Sequence, residues 1–338
     1  MRKYTFVLML IPLFFSLSNC SHRGHFDDTH ISDLEEKIQY YYKMKHRDSM
    51  VMAANELLPL LAADSFAVRR GNALVQKGIA FDIMGQYDSA SYCLYQALRI
   101  GEVEENQDLI TQALSNIGIL YFNLGRSEEA ITAYKRWLHI SRQQNDSMGV
   151  ARALNNMGNT YMTVDHEPDK AVPFFKECVA VSQKIGFEQA WFVASINLAE
   201  CLVTLDRAFE AQKIIDEVNR KGGNDYYADY TQALIYRKLG EYDKAIAIYE
   251  RIMKLKVNTR ELHLSLMNEL AQLYEEKGDL RRALDYRNRY QTDRDSLHSI
   301  ERENIIQELR VSYETEKKEL QITTLDEERK LYLILTLV

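Results

Sequence analysis

The 338-residue sequence predicts an all-α solenoid of stacked helical hairpins, followed by a long C-terminal helix. Three observations carry this. Residues 113–121 (ALSNIGILY) return 40 residues later as 153–161 (ALNNMGNTY). A small residue followed three later by an aromatic or apolar one recurs as Gly78/Phe81, Gly118/Tyr121, Gly158/Tyr161, Ala199/Leu202, Ala233/Tyr236 and Ala271/Tyr274. Glycine and proline are scarce, with 14 and 4 copies. A fixed period of this size marks units that cannot bury an apolar face alone and must stack on one another.

Each unit reads as helix, tight turn, helix. Apolar residues at i, i+3, i+4 and i+7 mark the amphipathic helices. Twelve positions after nearly every small residue stands an alanine: Ala90, Ala130, Ala211, Ala245 and Ala283, with Ala171 one residue late. Four positions further on come Leu94, Tyr134, Phe175, Ile215 and Tyr249. Small residue and alanine let the two backbones approach, and the large side chains fill the space around them. Gly85, Gly125, Asp206, Gly240 and Gly278 stand between the halves, where a left-handed residue ends the first helix.

This pattern resembles the tetratricopeptide repeat (TPR), whose Leu-Gly-x-x-Tyr…Ala-x-x-x-Phe signature is matched by Ile117, Gly118, Tyr121, Ala130 and Tyr134. The resemblance covers residues 71–290 and implies a right-handed superhelix with a concave binding surface. Leu74, Leu114 and Leu154 replace the family's first-helix Trp, and no unit has its closing Pro. Arg287 stands where the last unit's second-helix aromatic belongs, as suits a solvent-facing cap. The long period is similar to the longer-helix repeats of kinesin light chains and Rap-type bacterial peptide receptors.

Taken in order, the chain opens on Arg2 and Lys3, then an apolar run from Tyr4 to Phe15. That run is too short to span a bilayer and reads as a signal peptide over residues 1–20. Its end, Leu17 to Cys20, resembles a lipobox with Cys20 as the lipidated residue, although Asn19 departs from the usual Gly or Ala. Cleavage nearby without lipid is the alternative. Residues 21–30 read as a polar tether; its three histidines lack the thiol or carboxylate framework of a metal site. Residues 31–70 read as a degenerate N-terminal helical cap, with Leu34, Ile38 and Tyr41 on one face and Ala53, Leu57 and Leu60 on another. Cys93, Cys178 and Cys201 show no CxxC spacing and read as small buried hydrophobes.

Beyond the array, residues 291–330 form a charge-rich run with partial heptad spacing at Ile306, Leu309, Tyr313 and Leu320, which reads as a long charged helix or coiled coil. Residues 313–319 resemble the linker that joins TPR arrays to a membrane helix in Bacteroidetes-type sensors. Residues 331–338 are an apolar tail, read either as a transmembrane helix cut short or as a segment that packs or lies at an interface.

Net charge is −7, and no cluster of Lys and Arg offers a face to nucleic acid. No nucleophile, metal-hydrolase, phosphate-loop or kinase motif occurs, so no enzyme, cofactor or metal is expected. The functional hint is a register. Asn116, Asn156 and Asn197 each stand two residues before the small residue of their unit. An amide both donates and accepts, so a row of them suits an extended peptide backbone. In kinesin light chains, asparagines at the matching position hold a peptide in the groove. That resemblance makes these three the expected partner-contacting row, with Asn123, Arg152, Asn155 and Asn159 flanking it. The alternative is an asparagine that braces neighbouring repeats without a ligand.

The expectation is an exported, lipid-anchored or periplasmic TPR scaffold of the bacterial cell envelope. It would bind a protein or peptide and meet the membrane through lipidated Cys20, with the apolar tail as a second candidate contact. The runner-up is the extracytoplasmic half of a sensor with a histidine kinase or helix-turn-helix output domain.

Overall fold

A computed structural model describes residues 23–223, 226–255 and 260–296. The expectations for the signal peptide, Cys20, and the run and tail beyond residue 296 lie outside these residues. The described residues contain helices and no strand, in two compact units divided between Cys201 and Leu202.

In the first unit, α1 (Arg23–Lys43) pairs with α2 (Arg47–Leu60), and α3 (Ala67–Ile83) with α4 (Tyr87–Val103). Helix α5 (Gln107–Asn123) pairs with α6 (Ser127–Gln143), and α7 (Ser147–Asn159) with α8 (Pro168–Ile185). Each of α2, α4 and α6 also packs on the first helix of the next hairpin, and α9 (Glu188–Thr204) follows. In the second unit α10 (Ala208–Arg220) packs on α11 (Tyr226–Lys238), which pairs with α12 (Tyr242–Met253). Helix α12 packs on α13 (Arg260–Lys277), and residues 280–296 are helical.

The hairpins close as the spacing predicts. Gly118 on α5 faces the ring of Tyr134 on α6, Gly158 faces Phe175, and Gly78 faces Leu94. Ala90, Ala130, Ala171, Ala211 and Ala245 are fully buried at 0% exposure. The connecting residues take the left-handed conformation, with φ of 72° at Gly85 and 60° at Asp206. Such a residue ends a helix without an abrupt loop, and glycine does so without a Cβ clash.

The third strong repeat departs from this rule. Its second-helix alanine is one residue late, and the extra residue is absorbed as a π-turn, Thr160–Val164, at the end of α7. The turn wraps one residue more than an α-helical turn, which keeps Gly158 on Phe175 and Ala171 buried. His166, at φ 56°, then takes the left-handed place that glycine holds elsewhere.

One expectation is corrected. Residues 23–30, assigned to the tether, belong to α1. Nothing in them breaks a helix as proline would, and Asp28 reaches Arg69 on α3 at 2.6 Å. Arg69 also meets Glu35 at 2.8 Å, so the start of α1 is pinned to the next hairpin. Where α1 and α2 meet, Ile31, Leu34, Ile38, Met50 and Leu57 form a buried cluster. At the other end, Arg287 pairs with Glu275 at 2.7 Å, while Tyr286 stacks on Tyr274 with ring centroids 5.6 Å apart. No helix among the described residues is long and apolar enough to cross a membrane.

Candidate functional site

In the first unit, helices α5, α7 and α9 line a cleft of about 500 Å³. The 40-residue period brings equivalent turns of successive first helices alongside one another. Thr111, Gln112, Ser115 and Ile119 come from α5, and Arg152, Asn155 and Asn156 from α7. Gln189, Ala190 and Val193 complete it from α9, with Trp137 and Phe187 at its walls. Gln112 also lines an adjoining cleft of about 780 Å³ between α1 and α3, together with Glu36, Gln39, Asn72 and Gln76. The two clefts therefore share Gln112 as a lining residue.

The six asparagines and one arginine of the expected row divide into four groups. Arg152, Asn155 and Asn156 line the cleft, and the Asn156 side chain makes no hydrogen bond among the described residues. The Arg152 guanidinium lies over the Phe187 ring, 5.5 Å from its centroid. Asn197 braces repeats: its Nδ2 donates to Oδ1 of Asn155 and Oδ1 of Asn159, each at 3.1 Å. Asn155 thus serves both the cleft and the brace. Asn116 turns back on its own helix, where Nδ2 donates to the Gln112 carbonyl at 2.8 Å. Asn123 is exposed and donates to Asp82 at 3.0 Å. Burial pushes the Asp82 carboxyl up, and the Asn123 hydrogen bond works against that rise.

The tetratricopeptide-repeat family model matches residues 109–184 and 227–291, the first segment carrying α5–α8 and six of the seven row residues. The fold is a solenoid of stacked helical hairpins like that of tetratricopeptide-repeat proteins. Aspartyl phosphate phosphatase F from Bacillus subtilis is a solved structure of similar fold, at 16% identity and TM-score 0.64, over 80% of this chain and 72% of that one. The Rap conjugation gene regulator of plasmid pLS20, solved in complex with a peptide, is 16% identical with TM-score 0.54. That match covers 84% of this chain and 79% of that one. Subunit 4 of the human outer dynein arm-docking complex is 23% identical over 45% of this chain and 23% of that protein. The chain spans about a quarter of the length of the curated relatives it matches.

Several lining residues of the cleft were absent from the expected row. Gln112 and Ser115 stand 40 residues before Arg152 and Asn155, so the same period that aligned the asparagines places them. Ile119 and Val193 are 37% and 44% exposed and give the cleft its apolar surface. The thiols lie elsewhere: Cys178 donates to the Ala151 carbonyl at 3.1 Å, and burial pushes it up to about 11 and Cys201 up to about 12. Both are inert thiols at neutral pH. No group of His, Cys, Asp and Glu suited to a metal ion occurs among the described residues.

The brace makes a testable distinction between Asn197 and Asn156. Asn197→Ala leaves two amide oxygens half-buried without their donor, and is expected to cost about 1 kcal/mol of stability. Thermal unfolding would show it as a lower midpoint. An unchanged midpoint would mean that water replaces the brace.

Proposed function

We propose that this protein is a non-enzymatic scaffold that captures an extended peptide or protein segment along the first-helix face of its first unit. The observation that carries this reading is the convergence of Arg152, Asn155 and Asn156 with Gln112 and Ser115 on one open cleft. Amides and hydroxyls there offer donors and acceptors to a peptide backbone, and the apolar walls offer surface to side chains. Affinity would come from many shallow contacts on a preformed face, so little ordering entropy is lost on the protein's side. The plasmid Rap regulator, of similar fold, was solved holding a peptide, which supports the same use here. The signal-peptide-like residues 1–20 and Cys20 support a place in the bacterial cell envelope, lipid-anchored or periplasmic.

Asn156 tests the reading because its side-chain amide makes no hydrogen bond among the described residues. Asn156→Ala is expected to weaken capture of a random heptapeptide pool by about tenfold, the worth of one or two hydrogen bonds. The melting temperature should hardly change. Equal capture by variant and wild type would remove Asn156 from the binding face, and no capture by either would end the proposal.

A further inference from the structure

The outward faces of the second helices can be compared hairpin by hairpin, because the same positions recur. In α6 the residues two, five and thirteen after Ala130 are Thr132, Lys135 and Gln143, exposed and polar. In α10 the residues two and five after Ala211 are Lys213 and Asp216, also exposed. The same places after Ala90 in α4 hold Tyr92, Tyr95 and Val103. They are 66%, 43% and 72% exposed. Met52, 71% exposed and 40 residues before Tyr92, extends this surface to α2. Large apolar side chains left in water where sister helices carry solvated ones mark a contact surface. It shares no residue with the first-helix cleft.

Tyr92, Tyr95, Arg99 and Val103 follow one another at steps of three and four, which puts them on one stripe suited to a second helix. The stripe reads alike in both directions. Tyr92 and Val103 lie equally far on either side of the Ala97–Leu98 peptide bond, and Tyr95 and Arg99 lie two residues on either side of Ala97. Arg99 is the one charge in the stripe. Glu102, three residues on, is paired with Arg136 at 2.6 Å, and Arg99 makes no ion pair among the described residues. A two-fold contact needs a single self-complementary surface, and this stripe is one.

We propose that the outward face of α4 docks a second copy of this chain, helix against antiparallel helix, about a two-fold axis at Ala97–Leu98. Tyr92 then packs on the partner subunit's Val103, and Arg99 lies over the ring of the partner subunit's Tyr95. Each contact is made twice. The second kind already occurs within the chain, with Arg126 over Tyr121 at 4.9 Å and Arg282 over Tyr274 at 5.3 Å. Tyr95 is positioned for it by its hydroxyl, 2.9 Å from that of Tyr121. One helix pair is a small interface, so association is expected at concentrations on the order of 10 μM.

Sedimentation equilibrium of the full chain from about 1 to about 100 μM should show the mass rising from one chain towards two. Tyr92→Thr with Val103→Gln gives α4 the residues that α6 carries at those places, so the hairpin keeps its fold. This double variant should associate at least about tenfold more weakly. Phe209→Ser removes another exposed aromatic, in the second unit, and should associate as the wild type does. The orientation is read in a Cys20→Ser background, where the three remaining cysteines are buried. Mixed Tyr92→Cys and Val103→Cys chains should form a disulfide-linked dimer on oxidation, in greater yield than either variant alone. A wild type that stays monomeric would overturn the proposal, as would association that survives the double variant or is lost equally in Phe209→Ser. Equal cross-linking of mixed and separate chains would overturn the antiparallel contact.

Discussion

Replacing Gly118 by alanine is expected to destabilise the first unit by about 2–3 kcal/mol, the cost of forcing extra volume into a packed core. By intrinsic helix propensity alone the same change would be favourable by about 1 kcal/mol. Packing decides the sign. A Cβ at Gly118 would lie 2.6 Å from Cδ1 and 2.7 Å from Cζ of Tyr134, inside any tolerable contact. The ring has little room to retreat: Tyr134 is 1% exposed and lies against Trp137, with centroids 6.4 Å apart. In the second unit the equivalent pair is Ala233 and Tyr249, both fully buried, so small residue and aromatic are matched hairpin by hairpin. Combining Gly118→Ala with Tyr134→Leu should therefore recover part of the loss, with a coupling of about 1 kcal/mol or more between the sites. Urea unfolding of the four proteins measures it. A neutral or stabilising Gly118→Ala would contradict the close approach of α5 and α6.

That contact was readable in the sequence because a repeat states it several times. Gly78, Gly118 and Gly158 are separated by one period, and Leu94, Tyr134 and Phe175 follow in step, so each core pair announces the next. The extra residue before Ala171 was equally visible, but a longer loop and a π-turn both absorb one residue, and only the coordinates choose Thr160–Val164. The candidate site was legible as a register and not as a set of contacts. Asn116, Asn156 and Asn197 occupy equivalent places, yet one bonds to its own helix, one lines the cleft and one joins two neighbours. The difference lies in what stands 40 residues away: Asn197 has Asn155 and Asn159 to meet, whereas Asn116 finds the Gln112 carbonyl in its own preceding turn. Local composition carries no record of such partners. The start of α1 was missed for the same reason, since the anchor of Asp28 is Arg69, 41 residues downstream.

Removing Arg237 in the second unit is expected to have an effect of similar size, and one that depends on pH. Glu269 stands at the place Asn116 holds in its repeat, but here that place is occupied by a partly buried ion pair. The Arg237 guanidinium on α11 donates to Glu269 at 2.8 Å, to Gln272 at 2.8 Å and to Glu276 at 2.5 Å, all on α13. The side chains of Arg237 and Glu269 are 22% and 16% exposed, so water replaces little of what the pair provides. Arg237→Met leaves the Glu269 carboxylate out of water without its cation, at a cost of about 2–4 kcal/mol. Burial already pushes the Glu269 carboxyl up, with Arg237 opposing the rise, so its removal pushes the group further the same way. A carboxyl raised in the folded state favours folding when protonated, and that contribution is lost as pH rises through its folded value. The deficit of Arg237→Met relative to the wild type should therefore be larger at about pH 8 than at about pH 5, where the variant can protonate Glu269. Adding Glu269→Met should recover most of the stability at both pH values, since an apolar pair of similar volume replaces a buried ion pair at little cost. Urea titrations of the three proteins at the two pH values decide it, and a deficit equal at both would show that Glu269 stays hydrated in the folded chain.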